Sequence, residues 1–215
     1  MPVIALDRRS AGEATARVHV APDADLAELR EQFDRRHAVV LPGLFGPDLL
    51  AEVQAALESA AFAARDYDGL AGELALDESV SLVARLLFLV NDPALFRAIE
   101  AITGIPSLVR FDGRIYRRVA RPEHYDNWHT DIHDNRRVTM SVNLSESPYE
   151  GGVLHLRRRG TERSLVELHN TGPGDAILFR IAPEYEHCVT SIDSGVKTAL
   201  AGWFGDAPPW PLPAR

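Results

Sequence analysis

Lysine is almost missing from this 215-residue chain. Of its 23 basic residues 22 are arginine, and only Lys197 is lysine. The arginine excess reads as a bias of genomic base composition, which leaves Lys197 as a departure from the chain's own habit. Cysteine is scarcer still, with Cys188 alone, so no intrachain disulfide can form and a reducing cytoplasm is the expected compartment. Base is short against acid, 23 residues to 31, and a net charge of −8 argues against a sequence-independent nucleic-acid binder, which needs surplus base. Long apolar runs are also lacking. The longest, near residues 82–90, is broken by Arg85, so no membrane-spanning helix is expected. The opening residues MPVIALDRR carry acid and base where a signal peptide has an apolar stretch. There is no internal repeat and no low-complexity block.

What is present has the composition of an ordinary globular protein, 46% hydrophobic and 25% charged, at a length that suits one domain over residues 1–215. Residues 23–36 have helical spacing, with Leu26, Leu29 and Phe33 on one stripe. The run Ala38–Leu41, closed by Pro42-Gly43, reads as a strand, and residues 49–63 as a helix entered through Gly46-Pro47-Asp48. The acidic, glycine-containing residues 66–77 read as a loop. Residues 78–103 carry one or two helices interrupted near Asn91-Asp92-Pro93. Beyond residue 106 the texture changes to short apolar or alternating runs: 107–111, 114–120, 128–132, 137–144, 152–156, 164–169, 176–179, 188–192 and 196–204. Such a series predicts an all-β sandwich or barrel over 107–205, with the mainly helical residues 1–106 packed on it and a proline-rich tail at 206–215.

Eight histidines are present, and most are expected to be incidental. One departs from that. His129 and Asp131 stand two apart on a predicted strand, so both side chains point to one face and can meet the same ion. Two imidazoles and one carboxylate on one face of an octahedron leave three positions open, the arrangement of non-haem Fe(II) oxygenases. The second imidazole must come from a distant strand. His187 opens such a run, and Lys197 follows ten residues later.

These residues resemble the Fe(II)- and 2-oxoglutarate-dependent oxygenases of the prolyl-hydroxylase-like and phytanoyl-CoA-hydroxylase-like kind. Residues 128–131 (WHTD) are similar to that family's first metal motif, and residues 137–144 (RVTMSVNL) to the strand that follows. Residues 149–154 (YEGGVL) resemble its Gly-Gly turn, 174–179 (GDAILF) its strand before the distal histidine, and 187–204 its closing pair of strands. The resemblance is strong over 107–205 and looser over 38–57. It implies an α+β fold with a double-stranded β-helix core, jelly-roll and cupin-like, with the N-terminal helices packed on one sheet. It implies His129, Asp131 and His187 as ligands of Fe(II), and Lys197 as the anchor of the distal carboxylate of the co-substrate 2-oxoglutarate. Tyr116, Thr139 and Asn143 are the further candidates for that pocket. Arginine is commoner at the anchor position, and lysine occurs in the prolyl-hydroxylase-like branch. O2 would be the oxidant, succinate and CO2 the by-products, and hydroxylation of a small molecule such as an amino acid or biosynthetic intermediate the expected outcome. A carboxylate at Asp131 disfavours halogenation, since related halogenases carry a small non-ligating residue there.

His133, two residues past Asp131, is the competing ligand. His155 is open to a core or a substrate role, and Cys188 is expected to point away from the metal. Trp128, Arg118, Arg121, His124, Arg137, Arg158 and Arg180 flank the predicted metal strands and are the candidate substrate contacts; two arginines facing the iron would favour a carboxylated or phosphorylated molecule. Residues 66–77 and 120–127 are expected to serve as lids. The alternatives are a prolyl-type hydroxylase acting on a peptide, and a cupin-like protein that binds metal or ligand without turnover. No nucleic acid and no membrane is expected as a partner.

Overall fold

A computed structural model describes residues 2–8, 16–20, 26–77, 81–133, 135–169 and 171–207. The expectations for residues 23–25, 78–80 and 134, and for most of the proline-rich tail, lie outside these. The first half of the chain runs β1 (Ile4–Arg8), β2 (Ala16–Val20), α1 (Leu26–Arg36), β3 (Ala38–Leu41), α2 (Pro47–Glu58), β4 (Phe62–Asp66), β5 (Gly72–Leu76), α3 (Ser81–Val90) and α4 (Pro93–Thr103). The second half runs β6 (Arg110–Val119), β7 (Arg136–Asn143), β8 (Glu150–Gly151), β9 (Leu154–Arg158), β10 (Ser164–Leu168), β11 (Ala176–Arg180), β12 (Tyr185–Val189), β13 (Ile192–Ser194) and β14 (Val196–Gly205).

Local chemistry sets the helix ends. Asp92 caps α4 by accepting a hydrogen bond from the Ala94 amide at 2.6 Å, Pro93 fills the first turn where no amide is needed, and Gly104 closes it in the left-handed region at φ 65°. The break foreseen at residues 91–93 is therefore a capped boundary between α3 and α4.

One large antiparallel sheet orders its strands β3-β11-β7-β14-β6-β5-β4, and the smaller sheet β10-β9-β12 closes the jelly roll. Alternation along each strand of the large sheet decides everything that follows. Val138, Met140 and Val142 of β7, Ile115 of β6, and Leu200 and Phe204 of β14 join one apolar core with Leu49, Val53, Leu86, Leu95 and Ile99 of the helices. Each such side chain, removed from water, contributes about 1.5–3 kcal/mol. Their neighbours in sequence turn the other way, into the jelly roll. A second, smaller core joins Leu154, Leu156, Val166, Phe179 and Tyr185 between the two sheets.

Four sequence expectations are corrected. Residues 66–77 are a hairpin end and a strand, because Glu73, which made the segment look solvated, is buried against Arg114 and Tyr67. The runs at 107–111 and 114–120 meet in the single strand β6, which starts only at Arg110 and is continuous through Gly113 to Val119. Residues 188–192 begin late: β12 starts at Tyr185 and ends at Val189. Residues 128–132 form no strand, and pair only through His129 opposite His187. The hairpin of β1 and β2 carried no expectation at all.

Candidate active site

A single backbone bridge brings the two histidines together. The His129 amide donates to the His187 carbonyl at 3.0 Å, and the His187 amide returns the bond at 2.9 Å. Their rings lie 4.3 Å apart between centroids. Asp131 follows in irregular backbone, with one carboxylate oxygen 3.4 Å from His129 Nε2 and the other 3.5 Å from His187 Nε2. One donor atom from each of the three side chains lies within 4.8 Å of the other two. Ligands about 2.1 Å from a common ion at right angles stand about 3 Å apart, so a small contraction seats one ion. Strand alternation does not bring His129 and Asp131 together, since residues 128–132 form no strand: the bridge places His129, and side-chain bonds place Asp131.

Those bonds are specific. Trp203 donates its indole N–H to Asp131 Oδ2 at 2.7 Å, and the Thr139 hydroxyl approaches the same oxygen at 3.3 Å. His129 Nδ1 sits 2.7 Å from the Asn127 carbonyl, so Nδ1 carries the hydrogen and Nε2 is left for an ion. Burial would lower the His129 pKa, but the bonds to Asp131 and Asn127 and the charge of Asp126 raise it to about 9. Burial pushes Asp131 up, and the histidines and Trp203 outweigh that, holding it well below the usual carboxylate range. His187 is lowered by burial, only partly opposed by Asp131. This donor set fits a divalent ion of intermediate softness.

The triad opens onto a cavity of about 380 Å³ lined by the inward residues of β6, β7, β11, β12 and β14. Lys197 lies at its inner end, buried, donating to the Gly152 carbonyl at 2.8 Å and paired with no carboxylate among the described residues. Gly152 takes φ 64°, and a Cβ there would press on Ile192 and on the Lys197 stem, so the Gly-Gly turn is what lets the lysine lie flat. Burial first, then the charge of Arg118, lowers the Lys197 pKa to about 7. Arg118 is Lys197's direct partner across the sheet, and its Nε and Nη1 are buried without a hydrogen-bond acceptor. Its ion pairs, to Glu73 at 3.5 Å and Asp126 at 3.6 Å, are long. Two buried cations with unused donors fit the end of a dicarboxylate.

Comparison with known proteins agrees with this architecture. The profile of the 2OG-Fe(II) oxygenase superfamily matches residues 114–205, the stretch that supplies all three triad residues and Lys197. Residues 114–205 carry the sequence pattern of the 2OG-Fe(II) oxygenase superfamily. No curated protein sequence matches the chain. Among solved structures, a 2OG-Fe(II) oxygenase family oxidoreductase from Burkholderia pseudomallei is similar at a TM-score of 0.68 and 15% identity, over 88% of this chain and 95% of that one. A Pseudomonas putida prolyl-4-hydroxylase gives 0.59 and 17% over 85% and 100%. The non-heme alpha ketoglutarate dependent epimerase SnoN from nogalamycin biosynthesis gives 0.56 and 15% over 86% and 84%. At such identities these likenesses speak for the fold, a double-stranded β-helix with helices on one sheet.

Around this core the other sequence candidates divide. Tyr116, Thr139 and Arg118 line the cavity. Asn143 lies one step further in, where its amide donates to Thr171 and accepts from Ser145, so both ends are spent on the backbone. Trp128 stacks under Arg157 outside the cavity. Arg121 is exposed, and His124 is turned onto the Val119 backbone. Arg137 pairs with Asp206, Arg158 lies over Tyr185, and Arg180 reaches Asp34, all away from the cavity lining. His133 lines the cavity mouth but belongs to no ion-binding group among the described residues. Cys188 and His155 are opposite each other on β12 and β9 and do not line the cavity. Residues 67–71 do reach it, through Tyr67, Leu70 and Ala71, whereas of residues 120–127 only Asp126 does. Sequence reasoning passed over Arg114, Arg136 and Trp203, and weighed Asp126 only as part of a metal motif with other spacing. For Arg114 and Trp203 a signal existed, since both fall in phase with Tyr116 and Lys197 on their strands.

Proposed function

We propose that this chain is an Fe(II)- and 2-oxoglutarate-dependent dioxygenase that hydroxylates a small molecule, consuming O2 and releasing succinate and CO2. One observation carries the reading: two histidines and a carboxylate converge on a cavity whose inner end holds a buried lysine with no carboxylate partner among the described residues. His129 through Nε2, Asp131 and His187 would hold the metal, and Lys197 with Arg118 would hold the distal carboxylate of the co-substrate. Bound there, the metal and 2-oxoglutarate supply the oxidising power needed to break an unactivated C–H bond.

The chain's own residues do the rest. Asn127 fixes the His129 tautomer, and Trp203 and Thr139 hold Asp131 in one orientation. Leu154, Ile177, Phe179 and Val189 give the cavity an apolar wall that excludes water from the reacting region. The carboxylate of Asp131 fills the third protein position, which favours oxidation without halide. The cavity, about 380 Å³ in volume, favours a small molecule over a folded partner.

Anaerobic titration of the protein with Fe(II) and 2-oxoglutarate tests the reading. A visible charge-transfer band that needs both components and is lost in His187→Ala is expected. Its absence from the unaltered protein would overturn the oxygenase assignment.

A further inference from the structure

The charges around the cavity do not balance, and the surplus has an address. Four cations face it, Arg114, Arg118, Arg136 and Lys197. Among the described residues three carboxylates answer them: Asp126 and Asp131 in the lining, and Glu73 buried behind Arg114. When a divalent ion and a dicarboxylate co-substrate are bound their charges cancel, and one positive charge is left over. Arg114 is clamped by Glu73, with Nε on Oε1 at 2.5 Å and Nη2 on Oε2 at 3.2 Å. Arg118 lies between Glu73 and Asp126. Lys197 is at the inner end, where the co-substrate carboxylate is proposed. Arg136 is what remains.

Arg136 has no carboxylate or hydrogen-bond partner for its guanidinium among the described residues. It is held instead by its plane, with Cζ 3.4 Å from the centre of the Trp203 ring. That indole also holds Asp131, so Arg136 is tied to the triad through a single side chain. Asp112, opposite Trp203 on β6, is committed to Arg110. A guanidinium stacked on an aromatic face keeps its edge free, and the edge is the part that pairs two-pronged with a carboxylate. The lining of the same cavity carries two large apolar side chains exposed to solvent, Leu70 at 49% exposure and Ile132 at 47%.

We propose that the substrate is a small monocarboxylate with an apolar body, its carboxylate held by Arg136 and its apolar part lying against Leu70 and Ile132. This deepens, and rests on, the reading of the site as an oxygenase centre. A surplus of one charge matches a carboxylate better than a phosphate monoester, which carries close to two. The anchor at Arg136 and the triad are joined through Trp203, so a short acid bound there presents carbon atoms near its own carboxylate to the metal ligands.

The test is calorimetric binding of matched acids and primary amides: N-acetyl-leucine, N-acetyl-phenylalanine and 4-phenylbutyrate, each against its uncharged amide. It is run on the protein alone and on protein loaded with Zn(II) and 2-oxoglutarate, where no turnover occurs. At least one acid is expected to bind about tenfold or more tighter than its amide, the discrimination of a charged hydrogen-bonded pair. Arg136→Gln should erase the difference and Arg136→Lys should keep part of it, with Zn(II) and 2-oxoglutarate binding unchanged in both. If no pair shows an acid preference, or if the preference survives in Arg136→Gln, the proposal fails. Loss of Zn(II) and 2-oxoglutarate binding from the unaltered protein, with the acid preference intact, would sink the oxygenase reading and leave the Arg136 clamp supported.

Discussion

Lys197 and Arg118 are direct partners across β14 and β6, and both turn inward from the large sheet. Neither can shed its neighbour's charge into solvent, which is why the lysine, already penalised by burial, loses its proton near pH 7. A dicarboxylate binding between them restores the proton. The affinity for 2-oxoglutarate should therefore be flat below pH 7 and weaken by up to about tenfold per pH unit above it. Calorimetry at pH 8 in buffers of different ionisation heat should show close to one proton taken up. Because the chain has one lysine, selective isotope labelling yields a single side-chain resonance whose midpoint should move from about 7 to well above 8 on binding. Lys197→Arg should raise the 2-oxoglutarate requirement by about tenfold or more, since the stem is packed on Gly152, while leaving Fe(II) binding intact.

Trp203→Phe keeps the ring and removes the indole donor from Asp131. Groups that orient a metal ligand change metal affinity by about 10–100-fold when lost. A drop of that size in Zn(II) affinity, with thermal stability of the metal-free protein little altered, is the expected result from competition with a chromophoric chelator.

His129, at about 9, is protonated at neutral pH in the metal-free protein, and a metal must displace that proton. Metal affinity should rise by about tenfold per pH unit from pH 6 towards pH 9 and then level off. Near pH 7 close to one proton should be released per ion bound. A pH-independent affinity over this range would contradict the proposed role of His129 Nε2.

Glu73 is the buried carboxylate behind the cavity, 2% exposed, holding Arg114 in two bonds and Tyr67 in a third. Glu73→Ala leaves a buried guanidinium without its counter-charge, which costs about 3–5 kcal/mol. Urea denaturation should show a loss of that size, and far less in a Glu73→Ala, Arg114→Leu double variant that removes both members.

The triad and the lysine were legible because their chemistry is carried by spacing: an imidazole and a carboxylate two apart, a later imidazole, and a solitary amine ten residues on. Alternating strands were legible for the same reason, since Val138, Met140 and Val142 can only face one way. The hairpin of β4 and β5 was hidden because burial of Glu73 depends on Arg114, 41 residues away, and no local pattern reports such a pairing. Which arginines line the cavity was hidden on similar grounds. Arg137 and Arg136 are adjacent, and which one enters the cavity depends on the irregular register where β7 meets Gly205 at the end of β14.

The alternation that separates helix core from cavity also guards the order of the strands. In β14 the inward Lys197 and Trp203 are interleaved with Leu200 and Phe204, and in β6 Arg114, Tyr116 and Arg118 with Phe111 and Ile115. A slip of one residue in either pairing would drive a lysine or two arginines into hydrocarbon against the helices and expose phenylalanine to the cavity. Mispaired chains are thereby rejected during folding by the same side chains that later meet the ligands.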